Sequence, residues 1–184
     1  TYRILAIGAF PAAVYIALLA PQIIRIISGR LIIESAIVLQ ILSIALIAIF
    51  FANLAGNALI ALNLQKKAMF VYGSGALINI ISNIIFIPQY SYTATAWNTV
   101  LTEFFITLAL FYIIRKQYYY FDLISIASKT IFASAIMFIA ILPFTDSILI
   151  SALIAAASYF PAVYILRVFS KGDIKSLFLI NQKQ

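Results

Sequence analysis

The chain has 184 residues, of which 65% are hydrophobic and only 9% charged, and its formal net charge is +7. Soluble domains are about a quarter charged, so this composition cannot cover a water-exposed surface. Cysteine and histidine are absent, which excludes disulfides, thiol and imidazole nucleophiles and Cys/His metal sites.

The chain starts at Thr1 without a basic n-region, short apolar core and small-residue cleavage site. It is expected to be part of a longer protein, with an N-terminal portion upstream. A bilayer crossing takes about 20 apolar residues, because ~30 Å of hydrocarbon is crossed at 1.5 Å per residue. Uncharged stretches of that size predict spans at about residues 4–24 and 35–62. A third runs over about 68–87 and ends at Pro88, where Pro88-Gln89-Tyr90-Ser91-Tyr92 predicts a tight turn. A fourth runs over about 93–114, with Glu103 near its middle. The fifth, about 127–144, is weaker, and Lys129 is expected to snorkel to the interface. The sixth covers about 147–168 with a kink at Pro161, and residues 169–184 form a basic tail. The expected fold is an all-α polytopic membrane protein of about six transmembrane helices.

The connections after the second and fourth spans carry Lys66, Lys67, Arg115, Lys116 and Lys129. The tail carries Lys171, Lys175 and Lys183, with Arg167 at its edge. The turns after the third and fifth spans have no Lys or Arg. The excess of basic residues on cytoplasmic loops then puts both termini in the cytoplasm of a cell inner membrane. Arg25 and Arg30, between the first two spans, are the exception. Tyr90, Tyr92 and Trp97 fall at the outer interface, and Tyr112 and Tyr118 to Tyr120 at the inner one.

Polar residues within spans face other helices or a wet cavity, because lipid does not solvate them. The third span places Tyr72, Gly75, Asn79, Ser82 and Asn83 at intervals of three and four, on one helix face. The fourth places Thr95, Asn98, Thr99, Thr102 and Glu103 on one broad face, and Asn53, Gly56 and Asn57 cluster in the second. Two readings stand for the amides: helix packing, or the wall of a sugar-binding cavity, since amides both donate to and accept from hydroxyls. Glu103 is either a buried structural group or a cation-coupling site. Ala6, Ala9, Ala13, Ala17 and Ala20 form a small-residue stripe in the first span, a signal of close helix packing. Arg3 lies near that stripe at the inner mouth, as an interfacial charge or a phosphate contact. The substrate-cavity or ion-coupling candidates are therefore Glu103, Asn98, Asn79, Asn83, Asn53, Asn57 and Arg3.

The five acids, Glu34, Glu103, Asp122, Asp146 and Asp173, are far apart, and no GxxxxGK[ST] phosphate loop occurs. No catalytic residue, metal or cofactor is expected. The positive charge is expected to report cytoplasmic loops, with no nucleic-acid partner.

The order of motifs resembles a known family. Pro11 is followed by Ala20-Pro21-Gln22-Ile23-Ile24-Arg25, by Leu39-Gln40-Ile41-Leu42, and by Gly56-Asn57-Ala58 leading into Gln65-Lys66-Lys67. Asn79, Asn83, Ile87-Pro88-Gln89-Tyr90 and Thr102-Glu103 come next. Together these resemble the C-terminal half of polysaccharide flippases of the multidrug/oligosaccharidyl-lipid/polysaccharide exporter superfamily, most densely over residues 10–105. The chain departs from the family at Ser91 to Ala96, where relatives carry a Gly-x-x-Gly-Ala-Ala helix entry. The resemblance implies one lobe of a two-lobe exporter, paired with a similar N-terminal lobe around a cavity that opens alternately to each side. Its partners would be membrane lipid, that missing lobe and a lipid-linked oligosaccharide or polysaccharide precursor. A cation-coupled multidrug exporter of the same superfamily is the alternative, with a membrane-embedded sugar-transferring enzyme behind it.

Overall fold

The computed structural model describes residues 2–117 and 123–168, and every element in them is helical. The order is α1 (Tyr2–Ser28), α2 (Ile33–Ala61), α3 (Gln65–Gln117), α4 (Leu123–Ile141), a 3-10 turn (Leu142–Phe144) and α5 (Ile148–Ile165). Five helices are long and apolar enough to cross a membrane, consistent with a multi-pass membrane protein. The basic tail expected at 169–184 lies outside the described residues.

The helix ends follow from local chemistry. Gly29, at φ 69°, ends α1 in the left-handed region that glycine occupies without a Cβ penalty. At the end of α2, the Leu64 amide donates to the Leu59 carbonyl at 2.8 Å and the Asn63 amide to the Ile60 carbonyl at 3.0 Å. Asn63 sits at φ 58° between them. This is a Schellman cap, and Asn is the best-tolerated residue after Gly at its left-handed position. α3 therefore starts within three residues of the end of α2. α5 closes in the same way, with Arg167 at φ 49° and the Val168 amide donating to the Val163 carbonyl at 3.2 Å. At the other end of α5, the Ser147 hydroxyl accepts from the Ile150 amide at 3.4 Å.

α3 is not one straight rod. As a continuous helix it would be about 80 Å long, far beyond a bilayer. Ser91 breaks it with non-helical angles, φ 55° and ψ −140°. Three contacts then show that residues 92–117 run back along residues 65–90. Gly75 meets Ile106, Asn79 meets Thr102 and Asn83 meets Asn98. Each pair is centred between residues 90 and 91, as an antiparallel hairpin requires. Each arm is roughly 39 Å long.

The turn expected to begin at Pro88 needs correcting. The helix continues through Pro88 to Tyr90 and reverses only at Ser91. Proline removes one backbone hydrogen bond and crowds the carbonyl four residues earlier. It does not by itself supply the positive φ that a reversal needs, and Ser91 supplies that.

The helices divide into two compact units. One holds α1 up to Pro11 together with α4 and α5; the other holds α1 from Ala12 together with α2 and α3. In the first unit the Tyr159 hydroxyl donates to the Ile7 carbonyl at 2.8 Å, joining α5 to the start of α1. Met137, Ile141 and Val163 are fully buried there, and the buried Thr130 hydroxyl is absorbed by the Ile126 and Ala127 carbonyls of its own helix.

In the second unit the core lies between α2 and both arms of α3. Ala52, Ala55 and Leu59 pack with Val71, Ile106 and Leu110, and Ile41 and Ala45 pack with Ala96 and Val100. The alanines matter, because without a hydrophobic force between helices in lipid, close backbone approach supplies the packing energy. That approach brings side chains to foreign backbones. The Thr107 hydroxyl donates to the Ala48 carbonyl at 2.8 Å, the Tyr72 hydroxyl to the Ala52 carbonyl at 3.1 Å, and the Gln40 amide to the Ala17 carbonyl at 3.2 Å. The alanine stripe of α1 faces protein: Ala6, Ala9, Ala13 and Ala20 are buried. The other face of the first α3 arm is bare, with Leu77, Ile80, Ile81, Ile84 and Ile85 all exposed.

Candidate functional site

The polar residues of α3 form a ladder between its two arms. The Asn98 amide donates to the Asn83 carboxamide oxygen at 3.0 Å. Asn83 donates in turn to the Asn79 oxygen at 2.9 Å, and Asn79 to the Thr102 hydroxyl at 3.3 Å. The i to i+4 spacing of Asn79 and Asn83 on one arm, and of Asn98 and Thr102 on the other, puts each pair on one helix face. The tight reversal at Ser91 sets the register that turns those faces toward each other. Asn98 and Thr102 are buried, whereas Asn79 and Asn83 are half-buried. The ladder is thus open along the first arm.

Gly75 lies one turn beyond the ladder. A Cβ there would stand 2.6 Å from both Cγ1 and Cδ1 of Ile106, so the missing side chain is what lets the arms close. Gly56 on α2 plays the same part toward Tyr72, whose hydroxyl would lie 2.5 Å from a Cβ. Tyr72 was expected on the Asn79 face, but its hydroxyl is committed to α2.

Glu103 follows Thr102 and is half-buried. No hydrogen bond or ion pair reaches it from the described residues. The structure therefore sets Glu103 beside the ladder and not within it. Asn53 and Asn57 do not join either group. Both are exposed on α2, away from its buried Ala52, Ala55 and Gly56, and the Asn53 amide donates to the Ile49 carbonyl of its own helix at 2.9 Å. The side chain of Arg3 lies outside the described residues. Among the described residues no three His, Cys, Asp or Glu side chains come together.

Three ties of the second unit escaped sequence reasoning. Thr107 and Tyr72 each bond a backbone carbonyl on α2 and Gln40 bonds one on α1, and a carbonyl leaves no mark in the sequence. The chemistry available at the ladder is hydrogen bonding: carboxamides and a hydroxyl that can exchange their mutual bonds for bonds to a polyol. A free carboxyl group stands next to them.

Comparison with known protein families, with curated proteins and with solved structures finds no match for this chain.

Proposed function

We propose that the chain is the C-terminal lobe of a transporter that flips lipid-linked oligosaccharide or polysaccharide precursors across the cytoplasmic membrane. The observation that carries this reading is the ladder of Asn98, Asn83, Asn79 and Thr102. It is a row of sugar-compatible groups with one open side, set in a hairpin whose outer face is otherwise apolar. The motif order described above supports the same reading. In this proposal the hairpin supplies two of six spans, the termini are cytoplasmic, and the ladder faces a cavity shared with an N-terminal lobe. The bare apolar face of the first arm meets lipid or that lobe.

The topology is tested by labelling. Gln89 and Lys66 are exposed at opposite ends of the first arm. Cysteines placed there are expected to react with a membrane-impermeant maleimide from opposite sides of intact cells, Gln89→Cys from outside. Reaction of both from one side would refute the six-span arrangement.

A second reading, cation-coupled drug export, is favoured by Glu103, a carboxyl group with no partner among the described residues. Ionisable groups at such depth are costly and tend to be kept for ion or substrate pathways. Glu103→Gln is expected to preserve expression but lower gradient-driven transport by about 5–150-fold, the range of a typical coupling free energy. Introduced into the cell's own copy, it should lower polysaccharide export and leave lipid-linked sugar on the cytoplasmic leaflet. Normal export with unchanged drug sensitivity would remove the coupling role of Glu103. Normal export together with new sensitivity to cationic drugs would replace the sugar reading by the drug one.

A further inference from the structure

A second feature lies at the hairpin-tip end of the same unit. The end of α1, the start of α2 and the tip of the α3 hairpin enclose a groove of about 470 Å³, within the range of small-molecule sites. Ile24, Val38, Leu39, Leu42 and Tyr92 line it, with Glu34 among them. Each lining element contributes residues close to its terminus, so the mouth lies where helices leave the hydrocarbon. The groove then runs along α2 from Glu34 and Ser35 to Leu42, about 12 Å, and beyond Ser35 its α2 wall is aliphatic.

The charges at this end are unspent. Glu34 is exposed in the first turn of α2 and has no ion-pair partner among the described residues. Arg25 adjoins the groove-lining Ile24, Arg30 precedes Glu34 by one helical turn's worth of chain, and both are exposed. Neither is paired with Glu34. A carboxylate that lines the groove, with Arg25 in the adjoining last turn of α1 and Arg30 in the α1–α2 connection, complements one kind of molecule. Guanidinium groups bind phosphate, a carboxylate binds an ammonium group, and the trough holds an acyl chain. We propose that this groove is a binding site for a phospholipid with a primary ammonium head group, of the phosphatidylethanolamine type. Its ammonium sits at Glu34, its phosphate toward Arg25 and Arg30, and one acyl chain lies along Val38, Leu39 and Leu42. Nothing in this depends on what the chain transports.

The test uses the whole chain reconstituted in vesicles of equal parts phosphatidylethanolamine and phosphatidylglycerol. The protein is extracted in mild detergent and its retained lipid counted by mass spectrometry. Wild type should retain phosphatidylethanolamine over phosphatidylglycerol by about fivefold, the effect of one interfacial ion pair. Glu34→Gln should abolish that preference with total lipid unchanged. Leu42→Trp, which fills the trough, should lower retained lipid of both kinds, and Val38→Trp repeats the block one turn away should the first variant fold poorly. Equal retention of the two lipids by wild type, or an unchanged preference in Glu34→Gln, would overturn the proposal. So would a dimer that Leu42→Trp dissociates, since the groove would then belong to a second copy.

Discussion

Gly75→Val should loosen the α3 hairpin by about 1–3 kcal/mol, the usual cost of overpacking. Two effects compete. Any side chain in place of glycine favours the helix, by up to about 1 kcal/mol for alanine and less for a β-branched residue. Against this, the new Cβ would stand 2.6 Å from two carbons of the buried Ile106. One of those carbons is Cγ1, near the stem of the side chain, so a simple rotation of the tip does not relieve the clash. The arm must move, and the ladder beyond it must stretch. Ile106→Ala alone should cost about 2–5 kcal/mol through the cavity it leaves. The double variant should recover much of the loss, with a coupling energy of about 1–3 kcal/mol. Unfolding of the whole chain in bicelles, followed through a complete double-mutant cycle, measures it. Additive effects would show that the arms do not meet at these residues.

Asn83→Leu should cost about 2–3 kcal/mol, more than the corresponding change at any other rung, because Asn83 is the only rung that carboxamides bond on both sides. An interhelical hydrogen bond in a membrane protein contributes about 0.6 kcal/mol on average. The two lost bonds therefore explain only part of the effect. The remainder comes from the amide of Asn98, which is buried and loses its acceptor, at a cost of about 1–3 kcal/mol. Replacing Asn79, Asn83 and Asn98 by leucine together should cost less than Asn83→Leu alone, since no carboxamide is left without a partner and the Thr102 hydroxyl can turn to a carbonyl of its own helix. That triple variant also separates the two readings of the ladder. A stable protein that no longer exports sugar identifies a cavity wall; a stable protein that still exports identifies packing alone. If Asn83→Leu stays within about 0.5 kcal/mol of wild type, a typical surface substitution, the ladder contributes little.

The helices were legible because apolar length is a one-dimensional signal. The spans expected at about 35–62 and 147–168 fall on α2 at Ile33–Ala61 and α5 at Ile148–Ile165. The first expected span stops at Arg25, whereas helix α1 runs past it. A cation in the last turn suits the helix dipole, and α1 continues to Ser28. The rungs of the ladder could be read from their spacing of four, but their pairing across the hairpin depends on where the chain reverses. Pro88 marked that place three residues early, because serine at a left-handed position gives no warning where glycine would. Asn53 and Asn57 were candidates alongside Asn79, yet both lie exposed on α2; a pair of nearby amides does not say which side of its helix faces protein. The groove was invisible for a different reason: Ile24, Glu34 and Tyr92 come together only in three dimensions.

The abruptness of the bend at Ser91 bears on how the protein is made. The two arms of α3 are joined by a single non-helical residue, so no hydrophilic connector separates them as the ribosome delivers the chain. In the proposed topology the first arm reaches the bilayer with Asn79 and Asn83 exposed to lipid, and their partners Asn98 and Thr102 are still to be synthesised. A lone arm would have to solvate two carboxamides in hydrocarbon. Lateral release of the first arm should therefore wait until the second has been threaded beside it, so that the hairpin leaves the translocation channel as one piece.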